Sequence, residues 1–528
     1  MMRRGDCEVE KDRLLLSRLK KYGESKAYPF HMPGHKRMAG DKALNGFPNP
    51  FAVDITEIEG FDNLHHPEGI LKESMEWAAS VYGADRTYYL VNGSSCGILS
   101  AICAATEHGG TILMSRNCHK SAYHGVILNR LKCAYVYPQI IEKMGIQGGI
   151  LASDVEKALK EQPDVQAVLI VSPTYDGIVS DIRNIADVVH GHGIPLIVDE
   201  AHGAHFPFDD RMDEALSCGA DLVIQSLHKT LPSLTQTAVL HGRRGYVDFE
   251  KLERYLQMFQ TSSPSYVLMA SIEQCIYEMA VHGREKMAEF SERIGEVRRE
   301  LAEMKHLRLL EPGEKWLRLK EQSEGWLRLD EPGEKRLCLD EVSGVYDYDR
   351  SKIVVSCRNC LRVNEDGRRG RMDGNQLSDW LRTEYDLEME MCGADYIVAI
   401  TTYLDSQEGL GRLVEALKEI DGRLEACEVN QHPLNNWNLP DIRLKMADAM
   451  ERRSEPLLLS DCAGKISAEF VYLYPPGIPI VAPGELVTER IVERVLQYKG
   501  MGLPVQGMAD LNAERLRVLG EAADAEEG

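Results

Sequence analysis

The sequence lacks the marks of a membrane-spanning, secreted or nucleic-acid-binding protein. No apolar run approaches the roughly 18–20 residues that a helix needs to cross a bilayer, and residues 1–22 lack the apolar core of a secretory signal. Basic residues are fewer than acidic ones, 61 against 83, and the net charge of −22 argues against broad electrostatic binding to nucleic acid or anionic membrane. We therefore expect a cytoplasmic protein that binds neither.

Cysteine is scattered, and turn-forming residues are not in excess. The 13 cysteines are odd in number and favour reduced thiols over a disulfide framework. Cys357 and Cys360 have CxxC spacing, but without a second pair or a histidine at zinc-finger spacing we expect no metal site. With 44 glycines, 22 prolines and 44% hydrophobic residues among 528, the chain is neither collagen-like nor largely disordered.

Helix-like and strand-like segments alternate between residues 69 and 242, with short turns between them. This order is typical of a mostly parallel sheet covered by helices on both faces. The candidate strands are 87–91, 111–115, 133–137, 167–172, 196–199, 222–226 and 238–241, and the clearest helices are 71–82, 97–106, 153–161 and 182–191. The predicted fold class is therefore α/β, with one large domain built on a seven-stranded sheet.

The rest of the chain divides into further segments. Apolar residues at three- and four-residue intervals predict long helices over 263–305, and strand and helix patterns resume near residue 352. A Pro- and Asn-rich stretch over 432–440 separates a last segment. The predicted parts are an N-terminal helical arm, a large domain, a repeat insertion, a small α/β domain and a C-terminal domain, with bounds 1–28, 29–305, 306–341, 342–429 and 430–528.

The predicted insertion consists of a ten-residue repeat. The units HLRLLEPGEK, WLRLKEQSEG, WLRLDEPGEK and RLCLDEVSGV share a register, and each combines an apolar and basic alternation with an acidic turn. A ladder of small hairpins is conceivable. We favour a tandem duplication that lengthened one hairpin at a domain border over a dedicated binding module.

Polar residues lie at the carboxyl ends of two predicted apolar strands. Strand 196–199 ends at Asp199, and strand 222–226 runs directly into His228 and Lys229. Open α/β sheets place ligand groups at the carboxyl ends of their strands, and burial there lowers the pKa of a lysine toward nucleophilic use. Taken alone, a helix-capping aspartate and a solvated loop lysine would explain the same residues.

Two further elements each join a strand to a helix. In Asn92-Gly93-Ser94-Ser95 the glycine supplies the turn, while serine hydroxyls and the first helical N–H groups suit an anion such as phosphate. The segment matches neither the Walker P-loop nor GxGxxG. His119 follows another strand, where it either lies flat against an aromatic ligand or caps a helix. Together the four elements meet the needs of pyridoxal phosphate: a phosphate anchor, a ring cover, a partner for the ring nitrogen and an amine.

The motifs strongly resemble those of the Orn/Lys/Arg decarboxylase family, pyridoxal-phosphate enzymes of the aspartate-aminotransferase fold type (fold type I). The resemblance covers residues 22–508 apart from the repeat. The matching motifs are PFHMPGHK (29–36), DITE (54–57), NGSS (92–95), HKS (119–121), DEAHGAH (199–205), SLHKT (226–230), ISAE (466–469) and YPPGIP (474–479). Because PFHMPGHK begins at Pro29, we expect a short form without the N-terminal wing domain, assembled as a homodimer or a dimer-based oligomer.

The resemblance implies a role for each site residue. Lys229 would hold the cofactor covalently, and Asp199 would pair with its protonated ring nitrogen. His119 would stack on the ring, and His202 would lie beside it. Glu469, in the C-terminal segment, would contact the substrate. The cofactor phosphate would be bound by hydroxyl and imidazole side chains: Ser94, Ser95, Ser226 and His228.

The implied reaction is decarboxylation of a basic amino acid to the corresponding amine and CO2, with arginine favoured over lysine and ornithine. The bond to the carboxylate, held perpendicular to the ring, would break as its electrons enter the cofactor. The α-carbon would then be protonated by His228 or Lys229, and the sequence does not choose between them. A cationic substrate side chain needs acidic or polar partners at the far end of the pocket.

Two other functions remain open at this point. An aminotransferase on the same fold would grip the substrate carboxylate with an arginine, for which Arg358 and Arg362 are candidates. A non-catalytic protein would use the repeat as an interaction surface, although an intact set of Lys229, Asp199 and His119 argues against it.

Overall fold

The computed structural model describes residues 19, 21–22, 24–37, 49–141, 145–311, 337–338, 345–363, 369–427, 441–474 and 477–520. Most of the predicted N-terminal arm, the Pro- and Asn-rich stretch 432–440 and residues 475–476 of the YPPGIP motif lie outside these residues. The repeat insertion lies outside them too, except for 306–311 and 337–338. Within the described ranges, no helix is long and apolar enough to span a membrane, and no cluster of His, Cys, Asp and Glu would hold a metal ion.

A seven-stranded sheet forms the centre of the fold and confirms the predicted α/β class. Its strands are β1 (Arg86–Leu90), β2 (Thr111–Ser115), β3 (Lys132–Val136), β4 (Val165–Val171), β5 (Leu196–Asp199), β6 (Leu222–Gln225) and β7 (Ala238–Gly242). They lie in the order β1-β7-β6-β5-β4-β2-β3, and neighbours are parallel except where β7 pairs with β1 and β6. All seven predicted strands are present, within two residues at either end.

Helices cover both faces of this sheet, so its central strands are buried on both sides. Parallel strands in that position read as nearly continuous apolar runs, as AVLIV at the end of β4 does. One predicted helix, 97–106, begins earlier than expected, because the Gly-Ser-Ser segment forms its first turn. The covering helices are Ile70–Tyr82, Gly93–Ala105, Lys120–Leu128, Ala152–Glu161, Ile182–Gly191 and Phe249–Phe259.

One helix of 36 residues, Tyr266–Leu301, joins the large sheet to the rest of the chain. It begins at Ser265, whose hydroxyl accepts a hydrogen bond from the Leu268 N–H. Its apolar side chains share one core with helix Ile70–Tyr82 and helix Gln407–Gly422. The long helices predicted over 263–305 are therefore one continuous helix, which ties the two α/β parts together.

A five-stranded sheet forms the smaller α/β part, with helices Gly374–Tyr385 and Gln407–Gly422. Its strands in spatial order are Leu337–Cys338, Arg308–Glu311, Lys352–Ser356, Tyr396–Ile400 and Met391–Cys392. The first two pair in parallel, and the others are antiparallel. Shorter strands surround this part: Tyr28–Phe30 with Leu387–Met389, Ile178–Val179 with Asp347–Tyr348, and Cys360–Val363 with Arg369–Arg371 and Leu424–Ala426.

The C-terminal part, residues 441–520, has its own apolar core and packs on the large sheet. Phe470 and Ala482 belong to the core cluster that also contains side chains of β6 and β7. Its helices are Met446–Glu451 and Glu489–Gly500, and its strands are Ser454–Leu458, Val471–Leu473, Ile478–Val481, Val505–Gln506 and Arg515–Leu519. This packing brings the C-terminal part to the edge of the sheet where the candidate site residues lie.

Candidate active site

A cavity of about 550 Å³ lies at the carboxyl ends of the central strands. Its walls come from the large sheet, the small sheet and the C-terminal part, which contribute for example Asp199, Tyr396 and Tyr474. Seven of the nine predicted site residues line it: Ser94, Ser95, His119, Asp199, His202, His228 and Lys229. The fold thus gathers residues that are far apart in the chain into one site.

Lys229 lies on a short helix, Leu227–Thr230, that follows β6 directly. Its Nζ is 3.1 Å from Nε2 of His202. Burial lowers the pKa of Lys229, although the carboxylates of Asp199 and Glu390 oppose that shift. The lowered pKa increases the neutral fraction of the amine and makes it a better nucleophile.

Asp199 is the last residue of β5 and is only 5% exposed. In the sheet it lies between Val171 of β4 and Ile224 of β6, the strand that leads to Lys229. Its Oδ1 accepts a hydrogen bond from the Ala201 N–H at 3.1 Å, so it closes a turn rather than capping a helix. Burial raises the pKa of Asp199, and a cationic or N–H donor in the cavity would stabilise its carboxylate.

His119 caps a helix, which is one of the two functions that the sequence left open, and its place in the cavity wall leaves stacking on a ligand as a prediction. It is the N-cap of helix Lys120–Leu128, where its Nδ1 accepts a hydrogen bond from the Ser121 N–H, and its ring lines the cavity. Burial lowers its pKa to about 3, so the ring is uncharged at neutral pH. An uncharged imidazole in this wall can stack on a flat ligand.

His202 lies between Lys229 and an aromatic residue of the turn that follows β4. Its ring centroid is 4.6 Å from that of Tyr175. Burial, with the positive charge of Lys229, lowers its pKa well below the usual range. Its Nδ1 is buried and has no hydrogen-bond partner among the described residues.

The helix Gly93–Ala105 presents an uncapped N-terminus beside the cavity. Gly93 has φ of 73°, a left-handed conformation that favours glycine. The side chain of Asn92 does not cap the helix, because its Oδ1 accepts from the Thr261 N–H instead. The first N–H groups and the hydroxyls of Ser94 and Ser95 are therefore placed to bind an anion.

Ser226 and His228 flank Lys229 in the chain. Ser226 is not among the residues that line the cavity, but its Oγ is buried without a hydrogen-bond partner among the described residues. Nδ1 of His228 lies 2.8 Å from the carbonyl oxygen of Thr237, which can only accept, so Nδ1 carries the proton. Burial lowers the pKa of His228 to about 4, which leaves its Nε2 unprotonated at neutral pH.

Glu469 lies away from this cavity. Its carboxylate accepts hydrogen bonds from the backbone N–H groups of Ala509, at 2.9 Å, and Arg517, at 2.8 Å. These bonds hold together strands and loops of the C-terminal part. A substrate contact at Glu469 stays a prediction.

Several cavity residues were not identified from the sequence. Glu390 accepts hydrogen bonds from the Met32 N–H, at 2.8 Å, and from the hydroxyl of Tyr175. The only sequence motif near Glu390 and Tyr175 that we had identified is PFHMPGHK, which contains Met32. The other unforeseen polar residues include Asp176, Asp395 and Tyr396.

The two arginines considered as carboxylate grips are in different places. Arg358 lines the cavity, and its Nε is 3.7 Å from Oδ2 of Asp395. Arg362 does not line the cavity, and its guanidinium lies 4.4 Å from the ring centroid of Trp380. Of the two, Arg358 is therefore the one that can meet a ligand.

A buried ion pair fixes the C-terminal part against the sheet. Nη2 of Arg116, which follows β2, is 3.0 Å from Oε2 of Glu485, and both side chains are 2% exposed. We expect Glu485→Ala to lower the free energy of unfolding in urea by about 3–5 kcal/mol, because it leaves the buried Arg116 guanidinium unpaired. The double variant Arg116→Met/Glu485→Leu should recover most of that loss. A loss below about 1 kcal/mol in the single variant would contradict this prediction.

Two family models together match most of the chain. Residues 14–408 match the Orn/Lys/Arg decarboxylase major domain, and residues 438–501 match the Orn/Lys/Arg decarboxylase C-terminal domain. The chain belongs to the Orn/Lys/Arg decarboxylase family. The resemblance seen in the motifs is thereby confirmed, and so is the prediction of a decarboxylase.

Individual relatives of this Orn/Lys/Arg decarboxylase agree with the family. The arginine decarboxylase of Bacillus subtilis is 33% identical over 517 residues, which cover 96% of this chain and 98% of the relative. That of Bacillus anthracis is 31% identical and covers 96% and 97%. The crystal structure of the Francisella novicida lysine decarboxylase has a TM-score of 0.69 at 19% identity, covers 96% of this chain and 80% of that one, and confirms the predicted fold. Decarboxylation is therefore favoured over transamination or a purely binding role.

Proposed function

We propose that this decarboxylase uses pyridoxal phosphate to convert L-arginine to agmatine and CO2. The observation that carries the proposal is the meeting of Lys229, Asp199, His119 and the Ser94-Ser95 turn in one cavity. Arginine is preferred as substrate because the Bacillus relatives of 31–33% identity are named arginine decarboxylases.

The residues present fit pyridoxal phosphate. The uncapped helix start at Gly93 and the unpartnered Ser226 hydroxyl suit its phosphate. The buried carboxylate of Asp199 suits the protonated ring nitrogen, and the Lys229 amine suits the aldehyde. When bound, the cofactor supplies the electron sink for the carbanion left by loss of CO2.

The chain's own residues then have distinct tasks. Asp199 keeps the ring nitrogen protonated, and Ser94 and Ser95 hold the phosphate with the helix N–H groups. His119, uncharged and packed in the wall, covers one face of the ring and keeps water from it. His202, hydrogen-bonded to Lys229, positions the amine.

Lys229, not His228, is the group that we assign to protonate the substrate α-carbon. His228 is uncharged at neutral pH, and its one N–H donates to the Thr237 carbonyl. Lys229 is the described lysine that lines the cavity, and its amine can take up a proton and return it within the site.

The proposal extends to the partners, the assembly, the location and the domain bounds of the protein. The net charge of −22 supports a small-molecule substrate rather than a nucleic acid. The family resemblance supports a homodimer or dimer-based oligomer in the cytoplasm. The separate family matches, 14–408 and 438–501, support a domain boundary between them, and we retain the other predicted bounds as part of the proposal.

A substrate panel tests the function. Holoprotein is given L-arginine, L-lysine or L-ornithine, and CO2, the amine and the 2-oxo acid are each measured. We expect the highest kcat/KM with arginine, equal amounts of agmatine and CO2, and no oxo acid. A higher kcat/KM with lysine or ornithine would overturn the choice of substrate. Oxo acid without CO2, or no CO2 from any of the three, would overturn decarboxylation of a basic amino acid.

A further inference from the structure

The cavity contains more carboxylates than the one, Asp199, to which the proposed reaction gives a role. Four of its lining residues are acidic: Asp176, Asp199, Glu390 and Asp395. A substrate with a guanidinium at the end of its side chain needs one carboxylate that is still able to accept hydrogen bonds there. The contacts of the four residues distinguish them.

Three of these carboxylates already have partners or a task. Asp199 lies next to the strand that leads to Lys229 and influences its charge. Both oxygens of Glu390 accept hydrogen bonds from protein donors, namely the Met32 N–H and the Tyr175 hydroxyl. Asp395 pairs with two guanidinium groups, those of Arg358 at 3.7 Å and Arg371 at 3.4 Å.

Asp176 is different, because one of its oxygens has no hydrogen-bond partner in the part of the chain that the structure describes. The residue is 6% exposed, and the hydroxyl of Tyr396 donates a hydrogen bond to its carboxylate. Its Oδ1 is buried and has no hydrogen-bond partner among the described residues. Burying a polar atom in this way costs free energy, which a ligand donor would recover.

The backbone around Asp176 is held rigidly. Residues 174–177 form a turn after β4, in which the Gly177 N–H donates to the Thr174 carbonyl at 3.0 Å. Gly177 has φ of 97°, and a Cβ there would lie 2.9 Å from Cγ of the buried Lys352. The position of the Asp176 carboxylate is therefore set by the fold before any ligand binds.

Asp176 lines the same cavity as Lys229, and a series of contacts leads from one to the other. Lys229 contacts His202, and the ring of His202 packs on Tyr175. Asp176 is the next residue after Tyr175, and its partner Tyr396 belongs to the small sheet. A substrate whose α-carbon lies beside Lys229 would pass Tyr175 before its side chain reaches Asp176.

We propose that Oδ1 of Asp176 accepts a hydrogen bond from the cationic end of the substrate side chain. Asp176 is thus the residue that makes the site prefer a guanidinium to a neutral group of the same shape. This inference rests on the proposed function for the identity of the substrate, but it concerns recognition and not the chemical step.

Binding of two product-like ligands tests the assignment without turnover. Agmatine carries the guanidinium, and N-carbamoylputrescine replaces it with a neutral urea of nearly the same shape. Calorimetry with wild-type holoprotein should show tighter binding of agmatine. In Asp176→Asn we expect agmatine affinity to fall about tenfold to hundredfold, and affinity for the neutral ligand to change by less than about threefold.

Asp395→Asn is the matched control, since it makes the same change from carboxyl to amide in the same cavity. It should leave the ratio of the two affinities within about threefold of wild type. Asp176→Glu, which keeps the carboxyl group but moves it, should give an intermediate loss, and it replaces the asparagine variant in the test if that variant folds poorly. An unchanged ratio in Asp176→Asn, an equal change in Asp395→Asn, or a wild-type protein without preference for agmatine would each overturn the assignment.

The substrate panel separates this inference from the proposed function. If wild-type protein decarboxylates arginine while Asp176→Asn keeps the preference for agmatine, only the role of Asp176 is wrong. With the assignment correct, Asp176→Asn raises KM for arginine far more than it lowers kcat, and it leaves the visible absorbance of the bound cofactor unchanged.

Discussion

Lys229→Ala should lower kcat for arginine decarboxylation by at least about 10³-fold. The substitution removes both the amine that holds the cofactor and the group assigned to protonate the α-carbon. No other lysine among the described residues lines the cavity, so none can replace it. The measurement is the rate of CO2 release at saturating arginine, with cofactor added in excess.

An exposed lysine provides the control for this variant. Lys132→Ala makes the same substitution on β3, away from the cavity, and should retain kcat within about twofold of wild type. Circular dichroism of both variants should match that of the wild-type protein. A Lys229→Ala protein that still releases CO2 at a tenth of the wild-type rate would contradict the role of Lys229.

Asp199→Asn is expected to lower kcat by about 10²–10³-fold. Asparagine keeps the acceptor for the Ala201 N–H, so the turn should survive, but it cannot hold a proton on the ring nitrogen by its charge. The cofactor ring would then be a weaker electron sink for the bond between the substrate α-carbon and its carboxylate. The measurement is kcat at equal cofactor occupancy, determined from the cofactor released in alkali.

The same variant has a second readout, in the pKa of Lys229. The Asp199 carboxylate raises that pKa, against the effect of burial, so its removal should move the pKa of Lys229 lower. Because Lys229 would be bound to the cofactor in the holoprotein, the measurement is the pH dependence of acylation of Lys229 in the cofactor-free protein, which should shift to lower pH accordingly. Asp199→Glu, which keeps the charge, serves as the control and should lose less activity. An asparagine variant within tenfold of wild type, with an unmoved titration, would contradict the assigned role of Asp199.

The large sheet could be predicted because its signals are local. Continuous apolar runs such as those of β4 and β5 identify strands buried on both faces, and short turns between them limit the alternatives. The start of the helix at Gly93 was placed four residues late, since glycine and serine also favour turns. The positions of Asp199 and Lys229 followed from strand ends, which the carboxyl edge of a parallel sheet brings together.

The outer wall of the cavity could not be predicted in this way. Tyr175 and Glu390 are 215 residues apart, and no periodicity or motif connects them. Asp176 follows β4 as an ordinary turn residue, and only the folded structure shows that one of its oxygens is beside Tyr396 while the other has no partner among the described residues. The choice between His228 and Lys229 depended likewise on a tertiary contact, the hydrogen bond from His228 to the Thr237 carbonyl.

Covalent trapping of the cofactor tests the central claim most directly. Holoprotein is reduced with borohydride, digested, and its peptides are identified by mass spectrometry. We expect the mass of a pyridoxyl phosphate group on the peptide that contains Lys229, with loss of the visible absorbance. A modification on another lysine, or an unmodified Lys229 in protein that is active before reduction, would contradict it.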